Sequence, residues 1–288
     1  MARRKTGIVL LVMLLIYGTG ASAQLPERRA DSVSIAGSLP VARKAVVLLP
    51  ASYHETGTRY PVLYLLHGLW GGYEDWLVRS NLIEYTASLP LIVVLPDAAD
   101  SWYTNSATNP DLRFEDYIAK DVVAFVDENY RTLPFPAARF IAGLSMGGYG
   151  AIKLGLLYPG TFSVAGSFSG AFDWIERTET PSINSAFGPA GSPARRDEDV
   201  LRIISSAQPA ISPYFYLDVG TSDGVLTGNR AVAAALEAGG FAYEYHEVPG
   251  DHSWEYWNRR LPFLLSLIQA RIADLPPPHP VALPPRFR

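Results

Sequence analysis

The chain has 288 residues, 48% of them hydrophobic and 18% charged, with no cysteine and a formal net charge of −4. Zero cysteines exclude disulfide frameworks, thiolate zinc sites, iron–sulfur clusters and a cysteine nucleophile. The acidic balance lacks the basic stripe through which proteins displace phosphate counterions, so nucleic acid is not an expected partner.

Arg3, Arg4 and Lys5 precede an apolar run from Ile8 to Tyr17, and the small residues Ala21, Ser22 and Ala23 follow. This order predicts a secretory signal peptide over residues 1–23 and export to the periplasm or the medium. The run is shorter than the roughly 20 residues that span a bilayer, so no stable membrane insertion is expected after cleavage. Residues 24–274 are expected to form one domain. Ser32 to Pro50 reads as a hairpin, with Val33, Ile35 and Ala45 to Leu49 as strand material. Continuous apolar runs then recur at Val62 to Leu66, Leu91 to Leu95, Phe140 to Leu144, Phe162 to Phe168, Tyr214 to Val219 and Tyr243 to Val248. Runs without polar alternation suit strands buried on both faces.

Helical patterns lie between them. Ile118, Val122, Phe125 and Val126 make one apolar stripe within Phe114 to Tyr130, and further helices are expected at Gly147 to Leu157, Val200 to Ser206, Arg230 to Ala238 and Trp254 to Ile272. Alternating strands and helices predict an α/β fold: a mostly parallel central sheet with an antiparallel N-terminal edge and helices on both faces. Ala171 to Ala210, rich in Pro, Ser, Gly and charge, reads as an excursion over the carboxyl edge of the sheet, a possible cap that shapes specificity. From Leu275 onward six prolines predict an extended tail over residues 275–288.

Gly143-Leu144-Ser145-Met146-Gly147 matches G-x-S-x-G, in which a serine is held on a sharp strand-to-helix turn. Gly220-Thr221-Ser222-Asp223-Gly224 matches as well, but choosing Ser222 leaves no acid at a later strand end before the last plausible histidine. Ser145 is therefore the expected nucleophile. Serine needs a base, and five histidines are present: His54, His67, His246, His252 and His279. His252 occupies a loop between the last strand and the last helix, where the order serine, acid, histidine requires the base. The orienting acid must lie between Ser145 and His252 at a strand end. Asp223 fits this, and Asp218, inside the strand, is the alternative. Two backbone donors are expected to hold the oxyanion: the Met146 N–H, just after the nucleophile, and the Leu69 N–H in the glycine-rich turn His67 to Gly72. Trp70, Trp102, Tyr149 and Trp254 are candidates to line a substrate cleft, with ordinary packing as the competing role.

At these residues the chain resembles the esterase D family of α/β-hydrolases. The likeness is carried by Tyr64-Leu65-Leu66-His67-Gly68, Leu95-Pro96-Asp97 with Ser101-Trp102-Tyr103, Tyr130-Arg131-Thr132, Gly143 to Ala151, Gly220-Thr221-Ser222-Asp223 and Glu247 to Trp254, in the family's order over roughly residues 32 to 270. The resemblance implies the α/β-hydrolase fold, Ser145, Asp223 and His252 as catalytic triad, Leu69 and Met146 as oxyanion donors, and neither a metal nor an organic cofactor. One departure is Asp251 before and Ser253 after His252, where relatives often carry Gly and Asp. The family includes S-formylglutathione hydrolases, feruloyl and acetyl-xylan esterases, short-chain carboxylesterases and mycolyltransferases. It implies hydrolysis of a small-molecule or carbohydrate ester, with acyl transfer to an alcohol or sugar as one alternative and a non-catalytic binding protein as another. Export makes a formylglutathione substrate the less expected one.

Overall fold

The structure is a computed structural model, and it describes residues 30–173 and 180–276. The expected signal peptide therefore lies outside the described residues, as does the tail beyond residue 276. The described residues form one eight-stranded sheet in the order β1-β2-β4-β3-β5-β6-β7-β8. The strands are β1 Ala30–Ile35, β2 Arg43–Leu48, β3 Val62–Leu66, β4 Ile92–Pro96, β5 Arg139–Leu144, β6 Val164–Phe168, β7 Tyr214–Gly220 and β8 Tyr243–Val248. β1 and β2 pair antiparallel, and β2 joins β4 antiparallel, which makes the hairpin an edge. From β4 to β8 every pairing is parallel.

The parallel strands inside the edge strand β8, whose residues are half-buried, are buried on both faces because side chains of alternate residues feed two separate cores. Val62, Tyr64, Leu66, Ile92, Val94, Ile141, Phe215 and Leu217 face one core. Leu63, Leu65, Val93, Leu95, Phe140, Ala142 and Tyr216 face the other. The first core is covered by residues of the helices Val123–Asn129, Met146–Leu157 and Leu226–Ala238, the second by those of Asp75–Arg79, Leu82–Thr86 and Trp254–Ala273. This is the α/β-hydrolase fold.

The apolar stripe expected around Ile118 is present, and Ile118, Val122 and Val126 are fully buried, but the backbone over Tyr117–Val122 winds as a π-helix. Within the proline-rich excursion the chain forms the helices Pro181–Phe187, Pro193–Asp197 and Val200–Ser206. Their first turns are capped by the side chains of Thr180, Ser192 and Asp199, which accept the orphan N–H groups of Ile183, Arg195 and Leu201. The polar composition that reads as loop is thus partly capping chemistry.

The excursion is tied to the loop after β4 and to the helix Met146–Leu157. The Ala107 N–H donates to the Ala186 carbonyl at 2.9 Å, and Lys153, fully buried, is paired with Glu198 and, at 2.9 Å, with Glu115. Among the described residues no helix is long and apolar enough to cross a membrane.

Candidate active site

Ser145 stands between the last residue of β5 and the first of the helix Met146–Leu157, with φ 53° and ψ −115°. That left-handed geometry is what a sharp strand-to-helix turn demands, and it costs a non-glycine residue about 1–3 kcal/mol. The flanking glycines have a steric cause. A Cβ on Gly143 would stand 2.5 Å from the backbone carbon and oxygen of Gly147, and one on Gly147 would stand 2.6 Å from the His67 carbonyl oxygen. Neither neighbour is a flexible side chain that could yield.

Strain gathers around this point. Among the described residues, the non-glycine residues with positive φ are Trp70, Ala99, Trp102, Tyr103, Ser145 and Ser169, and each lies in the segment that follows the carboxyl end of β3, β4, β5 or β6. Such residues persist where surrounding contacts over-determine them.

His252 comes from the loop after β8, and its Nε2 lies 2.9 Å from Ser145 Oγ. Its Nδ1 lies 3.0 Å from both carboxylate oxygens of Asp223, which follows β7. The two loops are held together by the hydrogen bonds Thr221 N–H to Val248 carbonyl and Ser222 N–H to Gly250 carbonyl, at 2.9 and 2.8 Å. Burial pushes the Asp223 carboxyl up, yet hydrogen bonds from His252, the Val225 N–H and Ser169 outweigh it and hold the group below its ordinary pKa. The Asp223 side chain is fully buried, whereas that of His252 is 36% exposed, so the histidine can meet a ligand while its acid cannot.

Asp218, the alternative acid, is engaged elsewhere. Its carboxylate accepts from the hydroxyls of Tyr216 and Tyr256 and from Arg260 Nε at 2.7 Å.

The turn after β3 lies against the serine. His67 Nε2 accepts the Ala98 N–H at 3.0 Å, so Nδ1 carries the proton and donates to the Gly68 carbonyl at 2.8 Å. Burial pushes the pKa of this imidazole down, in keeping with a neutral ring. The C=O and N–H of one trans peptide point in opposite directions. Fixing the Gly68 carbonyl therefore turns the Leu69 N–H away from the His67 ring. The next peptide is fixed too, because the Trp70 N–H donates to Asp100 Oδ1 at 2.8 Å. Met146 opens its helix, so its N–H is one of the donors without an intrahelical acceptor.

The cleft holding Ser145 and His252 measures about 510 Å³. Trp70, Trp102 and Trp254 line it, as the sequence suggests, and Trp70 is 78% exposed at its rim. Tyr149 is a correction. It lies fully buried, its hydroxyl donates to the Glu198 carbonyl at 2.7 Å, and its ring packs edge-on against Trp102 and Phe187, behind the cleft wall.

Trp257, Arg79 and Asp75 also line the cleft and carry no signal in the sequence, being ordinary members of helices. Of residues 171–210, Ala171 alone lines it among the described residues. Ser169 was missed as well. It accepts from Trp257 Nε1 at 3.1 Å and hydrogen-bonds Asp223, while the Trp257 ring stands edge-on to His252 at 5.0 Å. His252, Asp223, Ser169 and Trp257 thus close a ring of contacts. The departure at Ser253 serves the helix that follows, whose N-cap it forms by accepting the Tyr256 N–H. Among the described residues no group of three or more His, Asp or Glu is disposed to hold a metal ion.

Known proteins resemble this chain at both levels. It is 30% identical over 236 residues to an esterase of Mycobacterium tuberculosis, a match covering 72% of this chain and 51% of that protein. The chain thus spans about half the length of that relative. It is 29% identical to an acetyl esterase of Caldicellulosiruptor saccharolyticus, over 68% of this chain and 79% of the other. It is 25% identical to the diacylglycerol acyltransferase/mycolyltransferase Ag85B of Mycobacterium leprae, over 79% and 81%. Among solved structures, the fluorophosphonate-binding serine hydrolase F of Staphylococcus aureus superposes with a TM-score of 0.76 at 22% identity, over 84% of this chain and 98% of that one. The family model described as "Putative esterase" matches residues 36–266, and the chain belongs to that esterase family.

Proposed function

We propose that the protein is an exported serine carboxylesterase that hydrolyses a short-chain or carbohydrate-linked ester through an acyl-enzyme on Ser145. The observation that carries this reading is the unbroken path from Ser145 Oγ to His252 Nε2 at 2.9 Å and from His252 Nδ1 to Asp223 at 3.0 Å. His252 takes the serine proton as Oγ attacks the carbonyl carbon. The developing oxyanion accepts from the Leu69 and Met146 N–H groups, each such donor lowering the barrier by about 3 kcal/mol. His252 then gives the proton to the departing alcohol, and water repeats the sequence on the acyl-enzyme. Asp223, held ionised, fixes the Nδ1–H tautomer and stabilises the imidazolium.

Export belongs to the same reading and rests on the basic, apolar and Ala-x-Ala order of residues 1–23. Release of p-nitrophenol from acetyl, butyryl and octanoyl esters by the protein and its Ser145→Ala variant tests the assignment. Turnover confined to the parent supports it, and equal rates in the two sink it.

Acyl transfer is the second reading, favoured by the mycolyltransferase relative. It uses the same acyl-enzyme but an alcohol acceptor. Acylated glycerol or trehalose formed at the expense of free acid would establish it over hydrolysis.

A further inference from the structure

Arg79 is the one lysine or arginine among the described residues lining the cleft. Its guanidinium lies 5.1 Å over the ring of Trp254, which is itself propped edge-on by Trp76 at 5.1 Å and Trp257 at 5.5 Å. Among the described residues no carboxylate stands within ion-pair range of Arg79 and no hydrogen bond engages its guanidinium. The neighbouring acids have contacts of their own. Asp75, one helical turn earlier, accepts the Gly72 N–H at 3.2 Å, and Glu255, beside Trp254, faces Arg259 at 3.9 Å.

Several other polar groups of the cleft are committed. Ser145 and His252 bond each other, Ser253 Oγ donates to Asp251 at 2.5 Å, Trp257 Nε1 is held by Ser169, and the Gly68 carbonyl accepts from His67 and from the Gly71 N–H. The open donors of the cleft are Arg79, the indole N–H groups of Trp70 and Trp254, and the two amides assigned to the oxyanion, and the one carboxylate on its wall is Asp75. A rim that offers donors complements an acceptor-rich group. A guanidinium already laid on an aromatic face presents its fork to a carboxylate with little further loss of freedom. The side of the substrate rests on contacts: Arg79 lies over Trp254, Trp254 packs on Trp257 at 5.5 Å, and Trp257 stands edge-on to His252 at 5.0 Å, while the departing alcohol is the half of the ester that must reach His252 Nε2 to be protonated.

We propose that Arg79, stacked on Trp254, is a specificity-determining residue that selects esters whose alcohol half carries a carboxylate, as in an O-acylated hydroxy acid or uronate sugar. The inference rests on the esterase reading above. It is tested with 3-carboxyphenyl butyrate and its neutral isostere 3-carbamoylphenyl butyrate, hydrolysed at low ionic strength. The expected ratio of kcat/KM, acidic over neutral, is about ten or more in the parent and about one to two in Arg79→Gln. An intermediate ratio is expected in Arg79→Lys, and a smaller parent ratio in about 0.5 M salt.

A parent ratio near one, or a ratio unchanged in Arg79→Gln, overturns the proposal. A preference for p-nitrophenyl hemisuccinate over p-nitrophenyl butyrate, without one for the acidic phenol, overturns the assignment to the alcohol half. Failure of the esterase reading is distinguishable, because the parent would then hydrolyse neither phenyl ester, or Ser145→Ala would hydrolyse both as fast as the parent.

Discussion

Replacing Ser145 by glycine and, separately, by alanine separates its chemistry from its backbone. Both variants lose Oγ and with it the 2.9 Å contact to His252, so both are expected to lose turnover. They differ in the backbone. At φ 53° and ψ −115° alanine keeps the strain of about 1–3 kcal/mol, whereas glycine is free of it. Glycine in turn gains about 0.5–1 kcal/mol of freedom in the unfolded chain. The difference leaves Ser145→Gly more stable than Ser145→Ala by about 1 kcal/mol, which for a domain of this size raises Tm by about 2–4 °C. Urea denaturation at a common slope reads the difference directly. A glycine variant no more stable than the alanine variant would refute the claim that this turn stores strain.

Asp223→Asn is expected to lower kcat by about 10⁴, since the amide no longer dictates the Nδ1–H tautomer; steady-state rates check this. The folded pKa of Asp223 is depressed, so the stability it adds is present above the ordinary aspartate value of about 3.9 and is lost as pH falls through the folded value. The stability gap between parent and Asp223→Asn should therefore narrow on acidification below about pH 4, and a constant gap would contradict the ionised assignment. Gly143→Ala sets a methyl against the Gly147 backbone and should destabilise by about 1–3 kcal/mol or prevent folding; a normal Tm would show that the turn has room. Ser169→Ala strands the Trp257 N–H and removes a bond to Asp223, an expected loss of about 1–3 kcal/mol by urea titration. Lys153→Met leaves Glu115 and Glu198 facing each other without their cation and should cost about 3–5 kcal/mol, most of it recovered when both glutamates become glutamine. Equal losses in the single and triple variants would mean that packing, not charge, holds the excursion.

Local signals account for most of what the sequence by itself determined. Each of the six apolar runs overlaps a strand, and for the five ahead of the edge strand β8 the reason is that a strand covered on both faces needs no polar alternation and so stands out as a continuous run. The turn at Ser145 was legible for a similar reason: Gly143 and Gly147 are demanded by atoms within a few residues of them or on and just beyond the adjoining strand. The choice between Asp223 and Asp218 was posed by sequence through their places in and beyond a strand. Only the tertiary structure showed what each carboxylate touches.

The same holds for everything that depends on which side chains converge. Ser145 and His252 are 107 residues apart, Trp257 and Ser169 are 88 apart, and the partners of Lys153 lie on either side of it in sequence. Tyr149 and Trp102 look alike as aromatics near motifs, yet one packs behind the cleft and the other lines it. Arg79 is one exposed helical arginine among many until Trp254 arrives beneath it from the far end of the chain. Periodicity and glycine placement record the demands of neighbours along the backbone, while the order of strands in the sheet, which carries distant loops to one edge, is set by the packing of the whole.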